Sequence, residues 1–219
     1  MTPNKEDYLK CVYELSQFGH KITNKLIAEK MAFSAPAVSE MLKKMLAEQL
    51  IRKDATVGYT LNPTALKMVA NLYRKHRLIE VFLVEQLGYS PEEVHEEAEI
   101  LEHTVSDRFI NRLDTLLGYP QTCPHGGSIP KEGQALVEKY QTTLASLTTT
   151  GRYQLVRVHD FYQLLQYLEQ HQLTIGSILT LVNIDLFAQT ITIQSKEKEL
   201  AIPMAIAQQL FVEKITRPD

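Results

Sequence analysis

Ser34-Ala35-Pro36-Ala37-Val38-Ser39-Glu40-Met41-Leu42-Lys43-Lys44-Met45-Leu46 has the periodicity of an amphipathic helix. Val38, Met41, Leu42, Met45 and Leu46 recur at i, i+3, i+4, i+7 and i+8 and form its core stripe, with Pro36 in the first turn, where a missing N–H is harmless. Ser39, Glu40, Lys43 and Lys44 are left outside that stripe. Immediately upstream, Ile22 to Met31 reads as a helix capped by Thr23, and the chain then turns through Ala32, Phe33 and Ser34. Two short helices joined by a tight turn, the second beginning with small polar residues, form a helix-turn-helix pattern, whose second helix suits a DNA major groove. Glu6 to Phe18 is expected to be a further helix, with Tyr8, Leu9, Val12, Tyr13 and Leu15 on its apolar stripe and Asp7, Cys11 and Glu14 off it. Downstream, Leu50 to Lys53 and Tyr59 to Leu61 read as short strands around Ala55 to Gly58, which makes a wing. The plainer alternative is a small helical bundle carrying a surface hairpin.

At 219 residues and 44% apolar side chains the chain is long enough for more than one core. No apolar run approaches a membrane span, and the opening Met-Thr-Pro-Asn-Lys-Glu-Asp lacks a signal-peptide core, so no membrane partner and a cytoplasmic location are expected. Cys11 and Cys123 alone make no disulfide framework. Charge is uneven: residues 1–72 carry ten Lys/Arg against seven Asp/Glu, and residues 73–125 carry five against ten. A basic module joined to an acidic one is compatible with nucleic acid at one end and a cation at the other.

The acidic part centres on Glu96-Glu97-Ala98-Glu99-Ile100-Leu101-Glu102-His103. At helical spacing Glu99, Glu102 and His103 share one face, with His95 a turn earlier. Carboxylates so close repel unless a divalent cation lies between them; a solvated acidic face is the bland reading. Ser90-Pro91-Glu92-Glu93 has the form of a capping box with Pro at the first helical position, so this helix is expected to begin there. Val94, Ala98, Leu101 and Val105 should pack on the preceding long helix, which runs from Asn62-Pro63-Thr64 to about Leu87 and carries His76 and Glu80 at i, i+4. A helix around Phe109, Leu113, Leu116 and Leu117 ends at Gly118. The apolar surface on these helices exceeds the needs of one small core, which points to a homodimer. Cys123-Pro124-His125-Gly126-Gly127 is a rigid turn presenting half a metal site or, on the plainer reading, a free buried Cys beside a surface His.

Pro130 to Thr150 is a polar connector. Beyond it Arg152 to Val158, Ser177 to Val182, Gln189 to Gln194 and Phe211 to Ile215 read as strands, with a helix from Phe161 to about Glu169. A small SH3-like barrel is the simplest assembly, with His159 and Asp160 at the end of its first strand. The expected fold is therefore mainly α with small β parts. It comprises a winged helix-turn-helix (1–72), a helical metal-binding and dimerisation domain (73–140) and an SH3-like barrel (141–219).

Taken together, Glu99-Ile100-Leu101-Glu102-His103, the Cys-Pro-His-Gly-Gly signature and the flanking modules resemble the DtxR family of metal-dependent transcriptional repressors. The resemblance runs over essentially the whole chain and is strongest to the manganese-responsive three-domain branch, whose barrel is FeoA-like. It implies a primary regulatory site made by Asp7, Glu99, Glu102 and His103, and a second site drawn from Glu80, Cys123, His125 and Asp160. His76 and His95 match ancillary ligands of the iron-responsive branch. Where that branch carries sulfur ligands this chain has Asp7 and Glu99, and Lys10 stands where two-domain manganese relatives have a second acid. Manganese-uptake and virulence-associated transporter genes are the targets implied.

Three carboxylates and one imidazole make a hard, oxygen-rich site suited to Mn(II), with Fe(II) as an alternative, while Cys123 makes the second site softer and open to Zn(II). On the DNA side, Ser34, Ala35, Pro36, Ser39 and Glu40 are expected at bases, and Lys25, Lys43, Lys44, Arg52 and Lys53 at phosphates of a palindromic operator. The enzyme alternative, a di-metal carboxylate protein, needs paired Glu-x-x-His motifs, and here the Glu–His pair occurs once at i, i+4. A metal-independent DNA-binding protein is a third reading.

Overall fold

The computed structural model describes residues 5–91, 93–196 and 198–215, and the chain divides into two compact units. The first comprises residues 1–74 and 130–136; the second comprises residues 75–129 and 137–219.

In the first unit α1 (Lys5–Ser16), α2 (Asn24–Met31) and α3 (Ala35–Ala47) precede the antiparallel pair β1 (Ile51–Asp54) and β2 (Gly58–Leu61). The expected Thr23 cap is in place, its Oγ1 accepting from Leu26 N at 3.2 Å, and Ser34, read from the sequence only as a turn and base-facing residue, also caps α3, its Oγ accepting from Ala37 N at 3.4 Å. Ala32 closes α2 in the left-handed conformation, turning the chain directly into α3. Leu9, Val12, Ile27, Val38, Leu42 and Met45 are completely or almost completely buried in one core with Ile51 and Tyr59. Cys11, expected off the apolar stripe, is buried in the same core, because α1 is covered by both α2 and β2 and so buries a wider face than a single stripe. Burial pushes the Cys11 thiol up to about 12. The wing is stitched to the segment just before α2 by a bridge from Ile22 to Gly58. Gly58 has φ +82 and a Cβ there would lie 2.0 Å from the Ile22 carbonyl oxygen, so both the turn and the close approach demand glycine. Tyr59 Oη donates to Asn24 Oδ1 at 2.8 Å and Asn24 Nδ2 donates to Ser39 Oγ at 2.8 Å, tying wing, α2 and α3 into one body.

The long helix α4 (Pro63–Leu87) starts in the first unit and ends in the second. In the second unit α5 (Val94–Glu102) and α6 (Asp107–Leu116) follow, with Val94, Ala98, Ile110 and Leu113 buried together with Leu78, Ile79 and Leu83 of α4. The capping-box expectation needs correction: helix α5 begins at Val94, three residues after Pro91. Ahead of it Glu93 N donates to Ser90 O at 3.1 Å and Ser90 N donates to Glu93 Oε2 at 3.0 Å. Glu92 lies outside the described residues.

A 3-10 turn, Leu144–Ser146, leads into the FeoA-like part, which adds β3 (Gly151–Val158), α7 (Tyr162–Gln170), β4 (Ile178–Asp185), β5 (Thr190–Ser195), β6 (Lys198–Pro203), α8 (Met204–Ala207) and β7 (Leu210–Lys214). Its strands form one antiparallel sheet in the order β6-β5-β4-β3-β7, with register shifts after Leu155 and Leu181 that bend it. Leu155, Leu179, Leu181, Ile191, Ile193, Ile202 and Leu210 fill the core beneath α7 and α8. Strand β4 extends beyond Val182 to Asp185, where Asp185 Oδ1 accepts from the Phe187 and Ala188 N–H groups and turns the chain. Strand β6 and α8 were not expected from the sequence. Among the described residues no helix is long and apolar enough to cross a membrane.

Candidate metal centre

Four segments of the second unit converge on one buried polar cluster. α4 supplies His76 and Glu80 a turn apart, α5 supplies His95 and Glu102, the turn after α6 supplies Cys123 and His125, and the end of β3 supplies Asp160. His76, Glu80, His95 and Asp160 offer ligand atoms all within 4.8 Å of one another, and so do Glu80, Cys123 and His125. Glu80 belongs to both sets. Its Oε1 lies 3.2 Å from His76 Nε2 and 3.1 Å from His125 Nδ1. His125 Nε2 donates to the Pro91 carbonyl at 2.9 Å, which aims Nδ1 at Glu80.

Charge in this cluster is held far from its behaviour in water. Burial would raise the Glu80 carboxyl, but His76 and His125 overcome it and hold the group well below the usual carboxylate range. Burial and the Glu80 charge would also raise Asp160, yet His76, His95 and His125 bring it down. Burial would lower His125, but Glu80 and Cys123 together, through charge and hydrogen bonds, carry it up to about 12, while burial with the Glu80 charge pushes the Cys123 thiol up to about 11. A cation entering here therefore has to displace protons from sulfur and imidazole. The residues fit such an ion: Glu80 is fully buried, and its Oε2 has no hydrogen-bond partner among the described residues. A buried acceptor left so costs free energy that a bound cation recovers.

The loop holding Cys123 and His125 is braced from outside. Gly126 has φ +80, and a Cβ there would sit 2.0 Å from the Val156 carbonyl oxygen, so the turn lies hard against β3. Val158 N donates to His125 O at 2.9 Å. Arg77 donates to Ser128 O at 2.5 Å and to Glu138 Oε1 at 2.7 Å, while Glu138 Oε2 accepts from Ser128 N at 2.9 Å and Arg157 lies 3.3 Å from Glu138 Oε1. Burial would raise Glu138, but Arg77 and Arg157 lower its pKa. A depressed carboxylate contributes stability above its unfolded value, about 4.5, and loses it as pH falls through the folded value. Glu138→Gln is therefore expected to cost about 3 kcal/mol at pH 7. In denaturant titrations that deficit should shrink progressively below pH 4.5. Sequence reasoning passed over Glu138 because it sits in a polar connector with no motif around it.

The remaining expected ligands lie as follows. Glu102 is almost fully buried, with Oε2 2.6 Å from His76 Nδ1 and Oε1 3.4 Å from His103 Nε2. Glu99 is exposed and 3.7 Å from His95 Nε2. Asp7 is half-buried in the first turn of α1, and Lys10 lies over the Tyr73 ring. Of the expected DNA-facing residues, Ala35, Pro36, Glu40, Lys43 and Lys44 are exposed on α3. Ser34 is exposed but its hydroxyl caps that helix, and Ser39 is partly buried against Asn24. Lys25 on α2 and Arg52 and Lys53 on β1 are exposed.

A helix-turn-helix with a wing and a buried carboxylate, imidazole and thiol cluster define the class of metal-responsive DNA-binding regulators. Residues 1–58 match the iron dependent repressor N-terminal DNA binding domain, residues 63–131 the iron dependent repressor metal binding and dimerisation domain, and residues 142–214 the FeoA domain. The structure of the manganese regulator SloR is 56% identical, with a TM-score of 0.92 over 98% of this chain and 100% of that one. ScaR with bound Zn2+ is 55% identical, with a TM-score of 0.93 over 97% and 100%. The iron-dependent repressor IdeR of Mycobacterium leprae is 36% identical over 125 residues, 57% of this chain, and the match spans about half, 54%, of that relative's length. The chain belongs to the DtxR family of metal-dependent repressors. The family and these neighbours are regulators, not enzymes.

Proposed function

We propose that this chain is a manganese-dependent transcriptional repressor that binds a palindromic operator as a homodimer and controls metal-ion transport genes. The observation that carries the reading is the fully buried Glu80, shared by two potential ligand sets and left with an orphan oxygen, in a chain that also carries a winged helix-turn-helix. Asp7, Glu99, Glu102 and His103 form the regulatory site in this proposal, and Glu80, Cys123, His125 and Asp160 the second site. A divalent cation supplies the positive charge that turns repulsion among these carboxylates into attraction.

Asp7 belongs to the first unit and the other regulatory ligands to the second, so joint ligation selects one arrangement of the DNA-binding domain. The bias equals the difference in metal affinity between arrangements. Manganese is favoured over iron by the oxygen-rich donor set, and the neighbours SloR and ScaR are manganese regulators by name. Zn(II) suits the set containing Cys123. Dimerisation is supported by apolar side chains left exposed in the second unit: Leu87, Ile100, Phe109 and Leu116 on its helices, and Tyr119 just after α6. Lys25, Lys43, Lys44, Arg52 and Lys53 meet phosphates, while Ala35, Pro36 and Glu40 present at bases, joined by Ser34 and Ser39.

The test is fluorescence anisotropy with a palindromic site selected from random DNA, with Mn(II) and with chelator. Tight binding in Mn(II) that weakens at least about tenfold in chelator is expected. Equal affinity in both would leave a metal-independent DNA-binding protein.

A further inference from the structure

The His76 ring is completely buried and is held at both nitrogens by acids from different helices. Nδ1 lies 2.6 Å from Glu102 Oε2 on α5, and Nε2 lies 3.2 Å from Glu80 Oε1 on α4 and 3.8 Å from Asp160 Oδ2 beyond β3. The His95 ring packs edge-on against it, with centroids 5.1 Å apart and planes at 62°. We propose that His76 is a positioning residue shared by the two metal sites, through which occupancy of the Glu80 side raises the affinity of the Glu102 side for its cation, and the reverse. This rests on the reading above that both sites take a divalent cation.

The argument is geometric. A planar ring cannot move one nitrogen without moving the other, and close packing removes the space in which slack would be lost. A cation that draws Glu80 and Asp160 together selects one placement of the ring. That placement selects one rotamer of Glu102, whose other oxygen, Oε1, faces His103 Nε2 at 3.4 Å. Partners outside the ligand set typically change metal affinity about 10- to 100-fold, and linkage makes the effect reciprocal. A ring that merely ligates on the Glu80 side would show no coupling, and the experiment separates the two roles.

Mn(II) binding to the full chain, without DNA, is followed by electron paramagnetic resonance and by bound-metal stoichiometry. Cys123→Ala disables the second site. The affinity of the Glu102 side is then compared with and without Cys123→Ala in two backgrounds, His76 and His76→Asn. Asn keeps a donor near the Nδ1 position and gives up the reach to Glu80. In the His76 background Cys123→Ala is expected to lower Glu102-side affinity about tenfold, and in His76→Asn by less than about twofold. His76→Gln, which reaches Glu80 but not Glu102, is expected to lose the same coupling while retaining the fold by circular dichroism. Equal penalties in both backgrounds, or no penalty in either, overturn the proposal. Loss of one full equivalent of Mn(II) in His76→Asn with Cys123 intact also overturns it, by making the ring a ligand. Coupled Mn(II) binding in a protein whose DNA affinity ignores Mn(II) would instead refute the repressor reading and leave the coupling standing.

Discussion

Asp7→Ala is expected to lower operator affinity in Mn(II) by about 100-fold while leaving the weak metal-free affinity unchanged. Asp7 is half-buried in the first turn of α1, where the helix dipole favours an acid by about 0.3–1 kcal/mol. Its proposed role is in ligation. Removing a ligand that only one arrangement of the two units can use erases the differential affinity by which metal selects that arrangement. A hundredfold loss corresponds to about 2.7 kcal/mol, within the range of known coupling energies. Melting with and without Mn(II) separates folding from ligation: whatever the metal-free transition does, its upward shift by Mn(II) should shrink. Unchanged manganese dependence of DNA binding would sink the role given to Asp7.

Glu80→Ala is expected to be the most damaging single change in the second unit. The carboxylate is wholly buried and faces the His76 and His125 rings, so truncation removes their anionic partner and opens a void. Breaking a buried pair from one side costs about 3–5 kcal/mol. In a unit of this size that is a fall of roughly 10 °C in the metal-free transition. The second site should lose its cation as well, because both potential ligand sets contain Glu80. Calorimetry and metal analysis on one sample check both parts; a native melting temperature with full stoichiometry contradicts them.

Much of this was legible in the sequence because local rules and burial agree. Thr23 caps where a side-chain oxygen was expected, and the α3 stripe buries Val38, Leu42 and Met45. Strand β6 was missed for a physical reason. Lys198-Glu199-Leu200-Ala201-Ile202-Pro203 lies at the sheet edge and fully buries only Ile202, so it lacks the alternation that marks a half-buried strand. Pro203 is tolerated at that edge. The spacing of Glu99, Glu102 and His103 on one helix did not foretell that Glu102 would turn inward to His76 while Glu99 stays exposed. That depends on how α5 rotates against α4, which Val94 and Ala98 decide by packing on Leu78 and Ile79. Likewise the alternative roles of His76 rest on two helices whose register no short motif encodes.

The central claim, that a divalent cation licenses DNA binding, is tested most directly by one titration. Operator affinity is measured across Mn(II), Fe(II) and Zn(II), with bound metal counted on the same samples. The account predicts that DNA affinity rises as the Asp7, Glu99, Glu102 and His103 site fills, with Mn(II) fully activating at two equivalents per chain. DNA affinity that stays flat while metal fills both sites would contradict it.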